Sequence, residues 1–200
     1  MTAPFTYPAT PHQRRHGPAG YADYESYRLW LRDEFAFRCV FCLTRETFGP
    51  FHAQFAIDHF VPVITRPDEP ARYENLLYTC VTCNGVKSDR SVPDPLVTFL
   101  AGSVRVDRDG SLLAGTAEAA HLIELLDLNH PRKVEFRSLW ISVVSLSERM
   151  DPVLHRRILG FPDDLPDLSR LRPPGGNLRP QGITESFHAR RARGELPATH

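Results

Sequence analysis

The chain has 200 residues, 42% of them hydrophobic, and its 24 basic and 24 acidic side chains cancel to a formal charge of zero. That length suits one domain with tails, and no apolar run reaches the ~18 residues that a membrane helix needs. Zero net charge excludes a generally basic nucleic-acid binder, so phosphate contact would have to come from a local patch or wait for a specific structure to engage.

Residues 1–19 hold four prolines and Arg14-Arg15; they lack the apolar core of a secretory signal and read as a flexible arm of a cytoplasmic protein. Tyr24, Tyr27, Trp30, Leu31 and Phe35 recur at three- and four-residue steps, which predicts an amphipathic helix over Tyr21–Phe37. Its aromatic stripe is either core or a base-stacking platform. The helix leads into Cys39-Val-Phe-Cys42. Residues 45–54 form a loop around Gly49-Pro50 that carries His52, read as a surface histidine. Phe55–Val63 alternates apolar and polar residues and reads as a strand that presents Asp58 and His59 at its end. Residues 65–73 form a polar loop. Then comes Glu74–Asp89, with Asn75, Cys80, Cys83, Asn84 and Lys87, and a helix is expected over Val81–Ser88.

Past this stretch, Val104–Ala114 reads as a hairpin turning at Asp109-Gly110, a type I′ signal. Thr116 caps a helix over Ala117–Leu128, Pro131 opens another to about Met150, and Asp151-Pro152 starts a third that ends at Gly160. His121, His130 and His155 are scattered along these helices and form no set. From Phe161 the Pro, Gly and Arg content rises, so residues 161–200 read as a weakly ordered tail in which Arg190, Arg191 and Arg193 could touch phosphate.

The four cysteines form two Cys-x-x-Cys pairs with no thiol left over. Cys39, Cys42, Cys80 and Cys83 are therefore the ligand set of a closed tetrahedral Zn²⁺ site. Residues 43–79 exceed the usual ribbon spacing, so something is folded between the pairs. Asp58, His59 and Asn84 offer a carboxylate, an imidazole and an amide oxygen, a set suited to a hard divalent ion and an activated water. Asn84 and Lys87, three apart, share a helix face. Taken singly, Asp58-His59 reads first as a turn pair and Asn84 as a helix cap; it is their joint spacing, interleaved with the cysteine pairs, that points to the ion site.

In this order the residues resemble the HNH endonucleases of the ββα-metal class. The match runs through Cys39 and Cys42, Asp58-His59-Phe60-Val61-Pro62, Asn75-Leu76, Cys80, Cys83-Asn84 and Lys87. Asn84 stands where many members have His, as in the HNH half of RNA-guided CRISPR effectors. The resemblance implies an α+β, treble-clef-like core over residues 20–92, an extension over 93–160 packed on it, and tails outside both. It further implies metal-dependent hydrolysis of nucleic acid, most simply DNA. His59 would be the general base, Asp58 and Asn84 would hold Mg²⁺ or Mn²⁺, and Asn75 would brace the histidine loop. Lys87 would lie on the phosphate or in a salt bridge. Double-strand cutting would need a homodimer or two nicks, and a defence-system partner is a further expectation. The alternative is a non-catalytic zinc module that binds nucleic acid or protein.

Overall fold

The computed structural model describes residues 3–49 and 54–200; Pro50 and His52 of the predicted loop lie outside the described residues. The Asp23 carboxylate opens the first helical segment by accepting the Glu25 N–H at 3.0 Å. A tight turn over Tyr24–Tyr27 runs into α1, Arg28–Glu34. The element is shorter than the spacing predicts, because Ala36 and Phe37 take positive φ, 50° and 58°. The Phe37 N–H returns to the Arg32 carbonyl at 2.8 Å and the Ala36 N–H to Asp33 at 3.1 Å, the paired closure of a left-handed helix cap. That reversal aims the chain at Cys39.

Strand β1, Phe55–His59, pairs antiparallel with β2, Leu76–Cys80; Phe55 faces Cys80 and His59 faces Leu76. β1 stops at His59, short of the predicted Val63. Pro62 cannot donate to a ladder, and the Thr65 and Arg66 N–H groups fold back on its carbonyl. Helix α2, Val81–Lys87, follows β2 without a loop. Phe55 stacks on Tyr78 with ring centroids 4.9 Å apart.

Helix α3 is Pro95–Thr98, and strands β3, Val104–Val106, and β4, Leu112–Ala114, form a second two-stranded sheet. The turn between them is not type I′, which needs positive φ at two central residues. Only Gly110 has it, at 90°, and the Asp107 N–H pairs with the Ser111 carbonyl at 2.8 Å, so the loop has three residues with glycine in the left-handed place. Helices α4, Ala117–Leu125, α5, Pro131–Met150, and α6, Pro152–Leu159, follow. α4 ends before Leu128 because Asp127 turns to φ 47°. The fold is mixed α+β, and no described helix is long and apolar enough to cross a membrane.

Both ends of the chain depart from the expected loose segments. Phe5 and Tyr7 are buried in the same apolar cluster as Trp30, Phe41, Leu77, Leu122 and Leu168. Phe5 meets Phe48 edge-on at 5.7 Å, Phe48 lies flat on Trp140 of α5 at 4.1 Å, and the Tyr7 hydroxyl donates to the Phe41 carbonyl at 2.7 Å. At the other end, α7, Gln181–Thr184, and α8, Phe187–Ala192, bring Phe187 onto Phe161 at 4.7 Å. Proline content marks these segments as irregular, but their aromatic side chains find a core. Arg190, Arg191 and Arg193 instead bond carbonyls or Glu195.

The two ends meet on α1 through buried acids. Asp33 accepts from His16 Nε2 at 2.8 Å and from the Phe187 N–H at 2.8 Å. Glu34 accepts from the Arg15 and His16 N–H groups at 2.8 and 3.0 Å, from Tyr73 at 3.0 Å and from His12 at 2.9 Å. Burial alone would raise the Glu34 carboxyl, but the His12 and Arg15 hydrogen bonds outweigh it and hold the group at about 2, below its ordinary 4.5. A carboxyl lower in the folded chain adds stability that is complete above the unfolded value and fades as pH falls through the folded one. Acid titration followed by circular dichroism should therefore show stability draining between about pH 4.5 and 2. The Glu34→Gln variant should be less stable at pH 6 and show a shallower loss over that window.

Candidate metal centre and active site

The first cysteine pair closes on a tight loop. The Leu43 N–H bonds the Cys39 carbonyl at 3.0 Å, the Cys39 N–H bonds the Thr44 carbonyl at 2.9 Å, and Leu43 bends at φ 59°. The Val40 N–H then reaches the Tyr78 carbonyl at 3.0 Å, which ties this loop to β2. The second pair is built into the β2–α2 junction. Cys80 ends the strand, and its Sγ accepts the Cys83 N–H at 3.4 Å as the cap of α2.

All four thiols are buried and free of disulfides, and their sulfurs lie within 4.8 Å of one another. Cys42 Sγ and Cys80 Sγ are 3.7 Å apart. Four sulfurs at about 2.3 Å from one tetrahedral ion would be separated by roughly 3.8 Å, so the cluster fits a metal ion such as zinc. Burial foremost pushes the Cys39 thiol well above its ordinary range, a penalty on the thiolate that a bound cation removes. Arg137 of α5 lines the cleft beside Cys42, Cys80 and Cys83. It is buried, and its guanidinium donates to the Leu128 carbonyl at 2.8 Å. The sequence reading did not single it out; an arginine facing inward on a long helix was the available signal.

Asp58 and His59 end β1. Asp58 is buried. Its Oδ1 accepts from Lys87 Nζ at 3.1 Å, while Oδ2 is buried without a hydrogen-bond partner. Burial raises the Asp58 carboxyl above its ordinary value, and Lys87 opposes this only in part. Lys87 is fully buried and also donates to the His59 carbonyl at 2.7 Å. Of the two roles open to it from sequence, it takes the salt bridge, and it does not reach solvent to meet a phosphate.

His59 is half-buried, and its Nε2–H points at the Pro70 carbonyl, 2.7 Å away. A neutral histidine that donates from Nε2 carries its lone pair on Nδ1, and Nδ1 makes no hydrogen bond among the described residues. Tyr24 meets the ring edge-on at 4.8 Å. The helical spacing had placed Tyr24 in an aromatic stripe without linking it to His59.

Asn75 spans the loop after His59. Its Oδ1 accepts from the Val61 N–H at 2.8 Å, its Nδ2 donates to the Val61 carbonyl at 2.9 Å, and its own carbonyl takes the Phe60 N–H at 2.8 Å. Replacing Asn75 with alanine should cost about 1–3 kcal/mol through the two unsatisfied Val61 groups, measurable as a lower denaturant midpoint. Asn75→Asp can keep only the bond from the Val61 N–H and should fall between. Asn84 sits on α2 one turn before Lys87, half-buried, and its side chain makes no hydrogen bond among the described residues. The Lys87 bonds hold α2 against the end of β1 by joining Asp58 and the His59 backbone, Asn75 braces the Phe60-Val61 loop that follows, and Asn84 stands on the anchored helix.

No family model, curated protein or solved structure matches this chain.

Proposed function

We propose that the chain is a metal-dependent endonuclease of the HNH type that hydrolyses phosphodiester bonds in nucleic acid, DNA being the favoured substrate. The observation that carries the reading is the pair of unused groups at the end of β1. Asp58 Oδ2 is buried and unpartnered, and the adjacent His59 commits its Nε2–H to the Pro70 carbonyl, which leaves Nδ1 as the acceptor of the neutral ring. A buried carboxylate oxygen without a donor is costly and is what a cation ligand looks like before the cation arrives.

Asp58 and Asn84 would hold the ion, with water filling the remaining positions, as Mg²⁺ and Mn²⁺ sites require. When bound, such an ion neutralises charge on the attacked phosphate and its leaving oxygen. The residues do the rest. Lys87 pins Oδ1 so that Oδ2 is the free ligand atom. The Pro70 carbonyl and the Tyr24 ring fix the imidazole plane. His59 Nδ1 takes the proton from the attacking water. Asn75 keeps the loop after His59 from moving. The four-cysteine centre, as structural zinc, holds α2 to β2 through Cys80 and Cys83.

The direct test is cleavage of plasmid DNA, linear DNA and RNA by the metal-loaded protein with and without Mg²⁺ or Mn²⁺. Metal-dependent cuts that leave a 5′ phosphate support the reading. Tight nucleic-acid binding with no turnover on any of the three would replace it with a non-catalytic zinc module.

A further inference from the structure

A cleft of about 300 Å³ lies between residues 6–12, the end of α1 and α3. Its walls include Tyr7, Phe35, Leu96, Phe99 and Arg38. The volume is at the lower end of small-molecule sites, and the lining is mainly apolar.

Arg38 is the anomaly. Its Nε is buried and unpartnered, and among the described residues its guanidinium makes no hydrogen bond and no ion pair. The other inward-facing arginines are engaged: Arg32 chelates Glu46 at 2.9 and 2.8 Å, and Arg15 pairs with Asp33 at 3.0 Å. Directly across a backbone bridge from Arg38 stands Arg45. Arg45 is buried, bonds the ring and backbone oxygen of His200 through its guanidinium nitrogens, lies over the Phe48 ring at 5.7 Å, and leaves its Nε unpartnered. Burial first, and the Arg38 charge second, push the Arg45 guanidinium well below its ordinary range. Arg38, half-buried, thus lies beside the buried Arg45, and among the described residues no Asp or Glu side chain bonds either. Glu34 also lines the cleft, but its two oxygens are saturated by the four donors described above.

A partly desolvated charge with no counter-charge is stabilised when one arrives. A guanidinium presents a planar fork of N–H donors matched to carboxylate and phosphate oxygens. We infer that the cleft binds a small organic anion, with its carboxylate or phosphate on Arg38 and an apolar or aromatic body against Phe35, Leu96 and Phe99. The site is separate from the end of β1, and neither reading depends on the other.

The test is calorimetric titration of the metal-loaded, full-length chain with benzoate and with phenyl phosphate, the two anion classes, beside benzamide and inorganic phosphate. At least one aromatic anion should bind and raise the melting temperature. Benzamide should not bind, and inorganic phosphate should bind at least tenfold more weakly than the better aromatic anion. Arg38→Gln should lose at least tenfold in affinity and should melt no lower than the parent without ligand, because the substitution removes an unpaired charge. Arg38→Lys should retain part of the binding. The site would be overturned by failure of both aromatic anions at millimolar concentration, by unchanged affinity in Arg38→Gln, or by an Arg38→Gln chain that melts several degrees lower, which would reveal a partner for Arg38. Equal binding of inorganic phosphate would overturn the role of the apolar walls. None of these readouts uses nucleic acid, so the outcome is independent of cleavage.

Discussion

Cys80→Ser is expected to abolish the cooperative melt of the chain rather than lower it by a few degrees. Cys80 serves the strand, the helix and the thiol cluster together: it faces Phe55 across the ladder, caps α2 through its sulfur, and lies 3.7 Å from Cys42 Sγ. Zinc held by four thiolates contributes about 10–16 kcal/mol in finger peptides, and whole domains are stable by only about 5–15 kcal/mol. With zinc in the centre, a substitution that releases the ion removes a term as large as the net stability. Elemental analysis of the parent should find about one zinc per chain, and a strong chelator should unfold it at a rate set by metal release. A parent chain that is folded and metal-free, or a Cys80→Ser chain with an unchanged melting curve, would show that the cluster is only a set of buried thiols.

The parts legible in the sequence are those written in local spacing. Pro131 and Met150 bound α5 as their helix signals indicate, and Asp151 caps α6 by accepting the Val153 and Leu154 N–H groups at 3.1 and 2.9 Å. The Cys-x-x-Cys pairs mark the cluster because each loop must turn tightly enough to aim two sulfurs at one point. What is not legible is written in tertiary contact. Residues 3–19 carry the prolines of a loose segment, yet Phe5, Tyr7 and His16 are buried, because Phe48, Phe41 and Asp33 are waiting for them far along the chain. Lys87 and Asn84 share a helix face by spacing, but that Lys87 is buried on Asp58 depends on how α2 docks against β1. Arg38 gives no signal at all in sequence; an unpaired guanidinium is visible only once the one acid lining its cleft, Glu34, is seen to be saturated by other donors.

At the end of β1, His59→Ala and Asn84→Ala should fail in different ways. His59→Ala leaves Asp58 Oδ2 and Asn84 in place, so affinity for Mn²⁺ and for nucleic acid should stay within about threefold of the parent. Turnover should drop by about 10²–10⁴, the ordinary worth of general-base catalysis. Asn84→Ala removes a proposed ligand, so Mn²⁺ affinity itself should fall, and raising Mn²⁺ should restore part of the rate. Asn84→His returns a ligand atom to the same position on α2, and imidazole suits Mn²⁺ better than an absent side chain; it should outperform Asn84→Ala in both binding and rate. Neither His59 nor Asn84 is a core residue, so the melting temperature of the metal-loaded protein serves as the check that the fold survives. Calorimetric Mn²⁺ titration and single-turnover cleavage on the same preparations separate ion binding from proton transfer. Equal turnover by His59→Ala and the parent would remove His59 as the base. An unchanged Mn²⁺ affinity in Asn84→Ala would leave Asp58 as the ligand and send the search for its companion to the loop after His59.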